Sequence, residues 1–387
     1  MHNNNTDLSY LIETRRYLHR NPELSMREYN TAAFIRNELS RFGIGYRTVD
    51  ETGTFARIDG KAPGKTVLLR ADIDALPVYE RTGLAFSSEN EGVMHACGHD
   101  FHTAALLGAA KELSALRDKF SGTVFLAFQQ AEESQHCSKF FVREGLTKGY
   151  DRAFGIHISP AFPAGKIAMT RGTDAASCDY FKITLRGKSA HISKPHLGND
   201  ALAAAAELAL KLPSIQPRVL NPLDNSVIGI GRLTSGTSYN IIANEAVLEG
   251  TIRTLTFETQ EFLQNKVRET AEAVAALYDV IPEVELETFA YPVINDDDAF
   301  DEAYAAAAKI VGEENIITDR KLIMGFGADD FSEFQRYAKG VYVHVGTANA
   351  AESSQLPLHS DRLTPDESAL AVMEKLHVEY ALSVLNK

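Results

Sequence analysis

The sequence predicts an α/β protein: a domain built on a mostly parallel sheet, interrupted by an inserted ferredoxin-like α+β domain. Strand-like and helix-like runs alternate through the first part of the chain, which is typical of a parallel sheet flanked by helices. The middle instead follows the order β-α-β-β-α-β, the ferredoxin-like arrangement. We therefore assign residues 1–174 and 291–387 to the first domain and residues 175–290 to the insertion.

In the first domain, apolar residues at helical spacing predict helices over residues 8–18 and 29–42, and small residues predict another over 103–116. Apolar runs predict strands at residues 65–71, 122–128 and 152–157. Later, a helix over about 298–311 stops at Gly312. Thr364, Pro365 and Glu367 have the pattern of a helix start, so the last helix is predicted to begin there.

In the insertion, alternation of apolar and polar residues predicts a half-buried strand at 179–187, and further strands are predicted at 226–233, 246–255 and 283–289. One helix is predicted over 200–212. A second helix carries apolar side chains at spacings of three and four, namely Leu263, Val267, Ala271, Val274 and Tyr278.

Composition bounds the class of protein. With 387 residues, 44% of them hydrophobic and 24% charged, the chain is long enough for two cores. The formal charge of −13 disfavours a nucleic-acid partner. No apolar run approaches the ~20 residues of a membrane span, and the start lacks a signal-peptide pattern, so we expect a cytoplasmic protein without membrane partners. Three cysteines agree with a reducing compartment.

The segment HACGHDFH at residues 95–102 concentrates three imidazoles, a thiol and a carboxylate. Cys97 and His99 are two apart, so in an extended loop they point to the same side, and Gly98 lets the backbone bend around a cation. Cys97 considered alone is more often a small buried hydrophobe. His95 and His102 are better explained as helix-start residues or as partners that orient ligands.

Each predicted strand of the first domain is followed by acids or a histidine. Asp72 and Asp74 follow the first strand, Glu132 and Glu133 the second, and His157 is placed at the tip of the third. Ligands of open α/β sheets bind beyond the carboxyl ends of the strands, so these groups are predicted to converge with the Cys97 loop. A Glu-Glu pair is otherwise most often a solvated turn.

A series of motifs spread over nearly the whole chain resembles one family, the metal-dependent aminoacylase-like amidohydrolases and peptidases. That family includes hippurate hydrolase, auxin-conjugate hydrolases and N-acetyl amino acid deacetylases. The matching segments, in the family's order, are LHRNPEL at 18–24, LRADIDALP at 69–77, HACGHDFHT at 95–103, AEE at 131–133, GIH at 155–157, SAH at 189–191 followed by Pro195 and His196, and GTIR at 250–253.

The resemblance implies a two-metal site with the ligands Cys97, His99, Glu133, His157 and His359. It implies Glu132 as general base and Asp74 as a further catalytic residue. Thiolate and imidazole ligands favour two divalent ions of Zn, Mn, Co or Ni over Mg or Ca. It also implies a catalytic domain whose inserted lid forms a homodimer or a dimer-based oligomer.

By the same resemblance, His191 stabilises the oxyanion of the reaction together with Asn240, and Arg253 pairs with a substrate carboxylate. Taken alone, His191 would be a surface histidine and Arg253 a surface ion pair. Because a lid that dimerises would carry the loop after its first strand across the two-fold axis, His191 is expected to act in the partner's site.

The function expected from these motifs is hydrolysis of N-acyl, chiefly N-acetyl, amino acids to a carboxylic acid and a free amino acid. One alternative is a dipeptidase on the same scaffold, which would need an acidic group to hold the substrate's amine. Another is a catalytically silent metal or amino-acid binding protein. The chain departs from the family at residues 134–137, at 328–331 and after His359, so substrate preference does not carry over.

Overall fold

The computed structural model describes residues 7–135, 138–323, 325 and 327–386. The chain divides into two compact units. The first unit contains the described residues of 1–174, 294–324 and 330–387, and the second contains those of 175–293 and 325–329. Among the described residues, no helix combines the length and the apolar character needed to cross a bilayer.

The strands of the described residues are β1 Gly45–Val49, β2 Gly53–Asp59, β3 Thr66–Asp72, β4 Thr123–Gln129, β5 Arg152–Pro163, β6 Ile167–Ala168, β7 Gly172–Ala175, β8 Cys178–Arg186, β9 Ser226–Ser235, β10 Glu245–Thr254, β11 Ile281–Ala290, β12 Val293–Asn295, β13 Ile316–Ile317 and β14 Gly340–Ala348. The α-helices are α1 Leu8–Arg20, α2 Tyr29–Arg41, α3 His99–Ala115, α4 Glu132–Gln135, α5 Ser138–Arg143, α6 Ala201–Val219, α7 Phe257–Leu277, α8 Asp297–Val311, α9 Arg320–Ile323, α10 Ser332–Gln335 and α11 Ala369–Leu385.

The first unit contains an eight-stranded sheet in the order β1-β2-β4-β3-β5-β14-β6-β13. Its centre, from β4 through β3 and β5 to β14, is parallel. Strand β3 is buried from Val67 to Asp72, as expected for a parallel strand covered on both faces. Asp72 ends β3 and Asp74 follows it, and Glu132 and Glu133 follow β4, so these acids lie at the carboxyl ends of two neighbouring strands.

The second unit contains an antiparallel sheet in the order β11-β8-β10-β9, with α6 following β8 and α7 following β10. Apolar side chains of β8, such as Phe181 and Ile183, share a core with Leu208 of α6 and with Leu263 and Val267 of α7. This is the ferredoxin-like order. Together the two sheets confirm the predicted fold class.

Two predicted boundaries around the candidate metal ligands of the first unit are wrong. Helix α3 begins at His99, four residues earlier than predicted, because left-handed Gly98 precedes it. Strand β5 continues to Pro163, since it stays paired with β14 beyond His157. His157 therefore lies inside the strand and not at its tip.

The predicted start of the last helix is also wrong, because α11 begins at Ala369. The Glu367 carboxylate does not close a capping box; it accepts hydrogen bonds from Arg16, at 3.0 and 2.6 Å. The residues before the helix are tied to other loops, since the Thr364 N–H donates to Ser353 O and the Asp366 N–H to Thr347 O. Tertiary contacts thus override a good local capping pattern.

His377 on α11 is a buried histidine, 1% exposed, whose ring packs edge-on against Phe154 with centroids 5.4 Å apart. Burial lowers the pKa of His377 to about 3. In the unfolded chain a histidine titrates near pH ~6.5. The folded pKa is the lower one, so the neutral ring stabilises the fold above pH ~6.5, and this contribution is lost as the pH falls toward the folded pKa.

We expect the His377→Leu variant to lose this acid sensitivity. Between about pH 6 and pH 4, its free energy of unfolding should fall less steeply than that of the wild type, by roughly 1.4 kcal/mol per pH unit. Urea unfolding followed by circular dichroism at several pH values measures both slopes. Parallel slopes for the two proteins would show that His377 is already protonated in the fold.

Candidate metal centre

Cys97 and His99 are placed by the turn that opens α3. Gly98 between them has φ +85°, and a Cβ built there would lie 2.2 Å from Cδ1 of Ile158. Both the left-handed backbone and this close approach require glycine. Cys97 is 8% exposed and His99 1%. The bend at Gly98 thus brings the Cys97 and His99 side chains together, as their spacing in the sequence predicts.

His99 is held by Asp74, which follows β3. The His99 Nδ1 lies 3.1 Å from Asp74 Oδ1. The second oxygen of Asp74 accepts hydrogen bonds from the Ser25 hydroxyl at 2.7 Å and from the Glu133 N–H at 3.1 Å. Because an ionised Asp74 can only accept, the His99 Nδ1 carries a proton, and Nε2 is the ring nitrogen that can coordinate a metal once its own proton is displaced.

His157 is oriented in the same way by a backbone carbonyl. Its Nδ1 lies 2.7 Å from Ile158 O, and its Nε2 lies 3.5 Å from Cys97 Sγ. His102 stands behind it: the His102 Nδ1 contacts Asp72 Oδ1 at 2.5 Å, and its Nε2 accepts from the Ile158 N–H at 3.0 Å. Both ring nitrogens of His102 are thus in use, which leaves its ring no lone pair for a metal.

Glu132 and Glu133 form the start of α4, directly after a strained turn. Ala131 has φ +51°, which is unusual for a residue with a side chain, and its N–H donates to Glu28 Oε1 at 2.8 Å. Glu28 was not singled out in the sequence, because a glutamate in a polar segment gives no sign that it is buried. Here burial raises the pKa of Glu28 to about 7, with the nearby Asp74 carboxylate adding to the shift.

His359 reaches the cluster from a loop that precedes α11. It too has a positive φ, +69°, and its N–H donates to Ala96 O at 2.9 Å, beside Cys97. Its Nε2 lies 3.2 Å from Glu133 Oε1. The side chain is 52% exposed, so this donor lies at the solvent side of the cluster.

The donor atoms of these residues fall into overlapping groups. Within each of three groups, the donor atoms lie within 4.8 Å of one another: Cys97, His99 and His157; Cys97, Glu133 and His359; His99, Glu132 and Glu133. Among the described residues, the buried atoms His99 Nε2 and Glu133 Oε1 make no hydrogen bond of good geometry, although the His359 Nε2 lies 3.2 Å from the glutamate oxygen. Buried polar atoms without partners are rare, and both are suited to coordinate a cation.

The electrostatics of the cluster favour a cation. Burial raises the pKa of the Cys97 thiol well above its usual range, and the carboxylates of Glu133 and Glu132 raise it further. Burial alone would lower the pKa of His99, but the carboxylates of Asp72 and Asp74 outweigh it and raise this pKa to about 10. A divalent ion would replace the proton on His99 and stabilise the Cys97 thiolate.

His191 and Asn240 lie side by side in the second unit. The Ile192 N–H donates to Asn240 O at 3.0 Å. The Ser193 N–H donates to His191 Nδ1 at 3.1 Å, so a neutral His191 carries its proton on Nε2 and has a donor to offer. Arg253 lies at the opposite end of the same sheet. Its neighbour Ile252 pairs with Asp179, near the start of β8, whereas His191 follows the end of β8.

His136 and Cys137, where the chain departs from the family, lie outside the described residues.

Known proteins are similar to this chain over most of its length. Residues 68–382 match the model of peptidase family M20/M25/M40. The chain belongs to this family. It is 37% identical to an N-acetylcysteine deacetylase of Bacillus subtilis, over 97% of each chain. It is 36% identical to thermostable carboxypeptidase 2 of Saccharolobus solfataricus, over 98% of this chain and 96% of the relative.

A solved structure from Bacillus subtilis, a dinuclear metal-binding peptidase of the M20 family, superposes with a TM-score of 0.84. It is 35% identical, and 98% of each chain is covered. These findings confirm the family predicted from the motifs and the prediction of a metal-dependent amidohydrolase.

The Cys97→Ser variant tests the thiol as a ligand. A hydroxyl is a much poorer donor than a thiolate for Zn or Co, so we expect a metal affinity at least about tenfold lower. Competition with a coloured chelator measures it. Cys178→Ser, a change of the buried cysteine in the second unit, is the matched control and should bind metal as the wild type does. Equal affinities for all three proteins would remove Cys97 from the ligand set.

Proposed function

We propose that this protein hydrolyses N-acyl amino acids, preferentially N-acetyl amino acids, to a carboxylic acid and a free amino acid. The observation that carries the proposal is the donor cluster with Glu132 beside it, at the carboxyl ends of β3 and β4. The deacetylase and carboxypeptidase names of relatives at 36–37% identity support cleavage of an amide next to an amino acid.

In this proposal, two divalent metal ions are held by five ligands: Cys97, His99, Glu133, His157 and His359. Cys97, His99 and Glu133 each belong to two of the three donor groups, so the five side chains form one continuous cluster that would hold the ions. When bound, such ions polarise an amide carbonyl and lower the pKa of a water molecule. The thiol and imidazoles favour Zn, Mn, Co or Ni. The first unit is then the catalytic domain.

Glu132 is the general base of the proposed reaction. The residue is 9% exposed, and its carboxylate shares a donor group with His99 and Glu133. It takes the proton of the attacking water and passes it to the leaving nitrogen, which departs as the amine of the amino acid. Asp74 acts through His99, whose ring it holds, and is therefore a positioning residue.

The second unit is proposed as the lid and dimerisation domain of a cytoplasmic homodimer or dimer-based oligomer. The Nε2–H of His191 is proposed to stabilise the oxyanion of the tetrahedral intermediate, with Asn240 beside it. Arg253 is proposed to pair with the carboxylate of the substrate. The small-molecule substrate is the partner that these roles require.

A substrate panel tests the proposed function. Metal-reconstituted protein is incubated with N-acetyl-methionine, hippurate and alanyl dipeptides, and the released amine is quantified. We expect the fastest release from the N-acyl amino acids. Preference for the dipeptides would favour a dipeptidase on the same scaffold, and no release from any of them would favour a silent binding protein.

A further inference from the structure

Asp330 is a fully buried carboxylate, 0% exposed, in the first unit. It is the second aspartate of the segment ADDF at residues 328–331, in which Asp329 stands where the family usually has glutamate, and the proposed reaction does not use it. Its four contacts below all come from donors. A buried charge persists only where such partners compensate for lost hydration, so the surroundings of Asp330 must be built for it.

Arg70 and Gln129 provide three of these contacts. The Arg70 Nη2 lies 3.0 Å from Asp330 Oδ1, and the Gln129 amide nitrogen donates to both Asp330 oxygens, at 2.7 and 2.8 Å. The Arg70 Nε also donates to Gln129 Oε1 at 3.0 Å. Because Arg70 is on β3 and Gln129 ends β4, Asp330 clamps together the two strands that lead to the acids of the cluster.

One side of the clamp leads to His157. The Arg70 Nη1 lies 2.6 Å from Asp72 Oδ2, and the other oxygen of Asp72 contacts His102. The His102 ring in turn accepts a hydrogen bond from the backbone N–H of Ile158. The carbonyl of the same residue, Ile158, orients the His157 ring. The chain of contacts from Asp330 to a proposed ligand is unbroken, and its side chains are at most 1% exposed up to His102.

The other side of the clamp leads to Glu132 and Glu133. Gln129 is the last residue of β4, and Glu132, the first residue of α4, follows three residues later. The second oxygen of Asp330 accepts from the Ser138 N–H at 3.0 Å, at the start of α5. Asp330 thus contacts the chain both before and after the segment that carries the proposed base and the proposed ligand.

We propose that Asp330 is a positioning residue of the metal centre, acting through Arg70 to orient His157 and through Gln129 and Ser138 to place Glu132 and Glu133. The inference rests on the proposed function, since it requires these residues to hold metal. Partners behind metal ligands typically change metal affinity by about 10–100-fold when they are mutated. Asp330 would be such a partner, although it is 260 residues away from Arg70 in the sequence.

The test compares Asp330→Asn with Glu302→Gln. The asparagine has the shape of aspartate but must turn its NH₂ toward a donor, because all the contacts described above are donors. Glu302 is the matched control: it is 6% exposed and pairs, at 2.5 and 3.0 Å, with Arg152, the first residue of β5, which takes no part in the contacts described between Asp330 and His157. In both variants a neutral amide replaces a carboxylate that pairs with a largely buried arginine, so the two changes are chemically alike.

The affinity for Co²⁺ is measured by chelator competition, and the cobalt–thiolate absorption of the loaded protein is recorded, with folding checked by circular dichroism. We expect Asp330→Asn to bind Co²⁺ about 10–100-fold more weakly, with an altered thiolate band. Glu302→Gln should lose thermal stability but keep wild-type affinity and spectrum. If Asp330→Asn loses stability alone, or both variants lose affinity equally, the inference is overturned.

Two further variants keep the test decisive. Gln129→Met removes no charge and leaves the Arg70–Asp330 contact in place, so it should fold even if Asp330→Asn does not, and it should weaken Co²⁺ binding about fivefold. Wild-type affinity of a folded Gln129→Met would also count against the clamp. In the double variant of Arg70→Met and Asp330→Asn, the combined loss of affinity should be smaller than the two single losses added together, because both changes break the contact between Arg70 and Asp330; fully additive losses would exclude action through Arg70. A wild-type protein that binds no Co²⁺ would instead overturn the proposed function.

Discussion

The Glu132→Gln variant is expected to hydrolyse its best N-acyl amino acid at least about 10²-fold more slowly than the wild type, while keeping its metals and its substrate affinity. Loss of a positioned general base typically has this effect on the rate. Glutamine retains the size of the side chain but cannot accept the proton of the attacking water. Steady-state kinetics, with metal content measured by mass spectrometry on the same sample, checks both parts.

Glu133→Gln is the matched comparison, because the two acids are adjacent in α4 and differ in their neighbours. Glu133 Oε1 faces both His99, at 3.8 Å, and His359, at 3.2 Å. We expect this variant to lose metal, and to lose activity in proportion. If Glu132→Gln lost metal and Glu133→Gln kept it, the roles of base and ligand would be exchanged.

The His191→Ala variant is expected to lose about 10²–10³-fold in kcat, the scale of a lost oxyanion donor. Its Nδ1 accepts from the Ser193 N–H, so the donor that would serve an oxyanion is Nε2. The metal content should be unchanged. His196→Ala, a change of the histidine in the nearby short turn of the second unit, is the control and should keep wild-type kcat.

Subunit exchange then tests whether His191 acts in the partner's site. When His191→Ala and Glu132→Gln proteins are mixed, one site of a heterodimer would carry both changes and the other would carry none. Statistical exchange of dimers should therefore restore roughly a quarter of wild-type activity. A mixture that exchanges subunits but stays inactive would place His191 in its own subunit's site or outside catalysis.

Local patterns in the sequence were sufficient to predict much of the fold. In the second unit, alternation and helical spacing predict the four strands of the antiparallel sheet and the helices α6 and α7, because each of these elements has one buried face. The core strands β3 and β4 are equally clear as apolar runs. Strands β1, β2 and β14 were not predicted, although β14 carries the apolar run from Val341 to Val345, which is a usable signal.

Elements whose ends are set by tertiary contacts could not be predicted. The start of α11 is one case, since Glu367 is used by Arg16 of α1, which is 351 residues away. The residues of the site likewise fall into some that the sequence reveals and some that only the fold reveals. Cys97, His99 and the Glu132–Glu133 pair stand out because their residue types are concentrated in short segments. Glu28 and Asp330 do not, because only the folded chain brings them to Ala131 and Arg70.

Metal titration of the stripped protein tests the central claim most directly. The protein is exhaustively chelated, its metal content is verified, and hydrolysis of N-acetyl-methionine is followed while Mn²⁺, Zn²⁺ or Co²⁺ is added. The proposed site predicts no hydrolysis without metal and recovery that is complete at two ions per chain. Full activity in protein verified to contain no metal would contradict it.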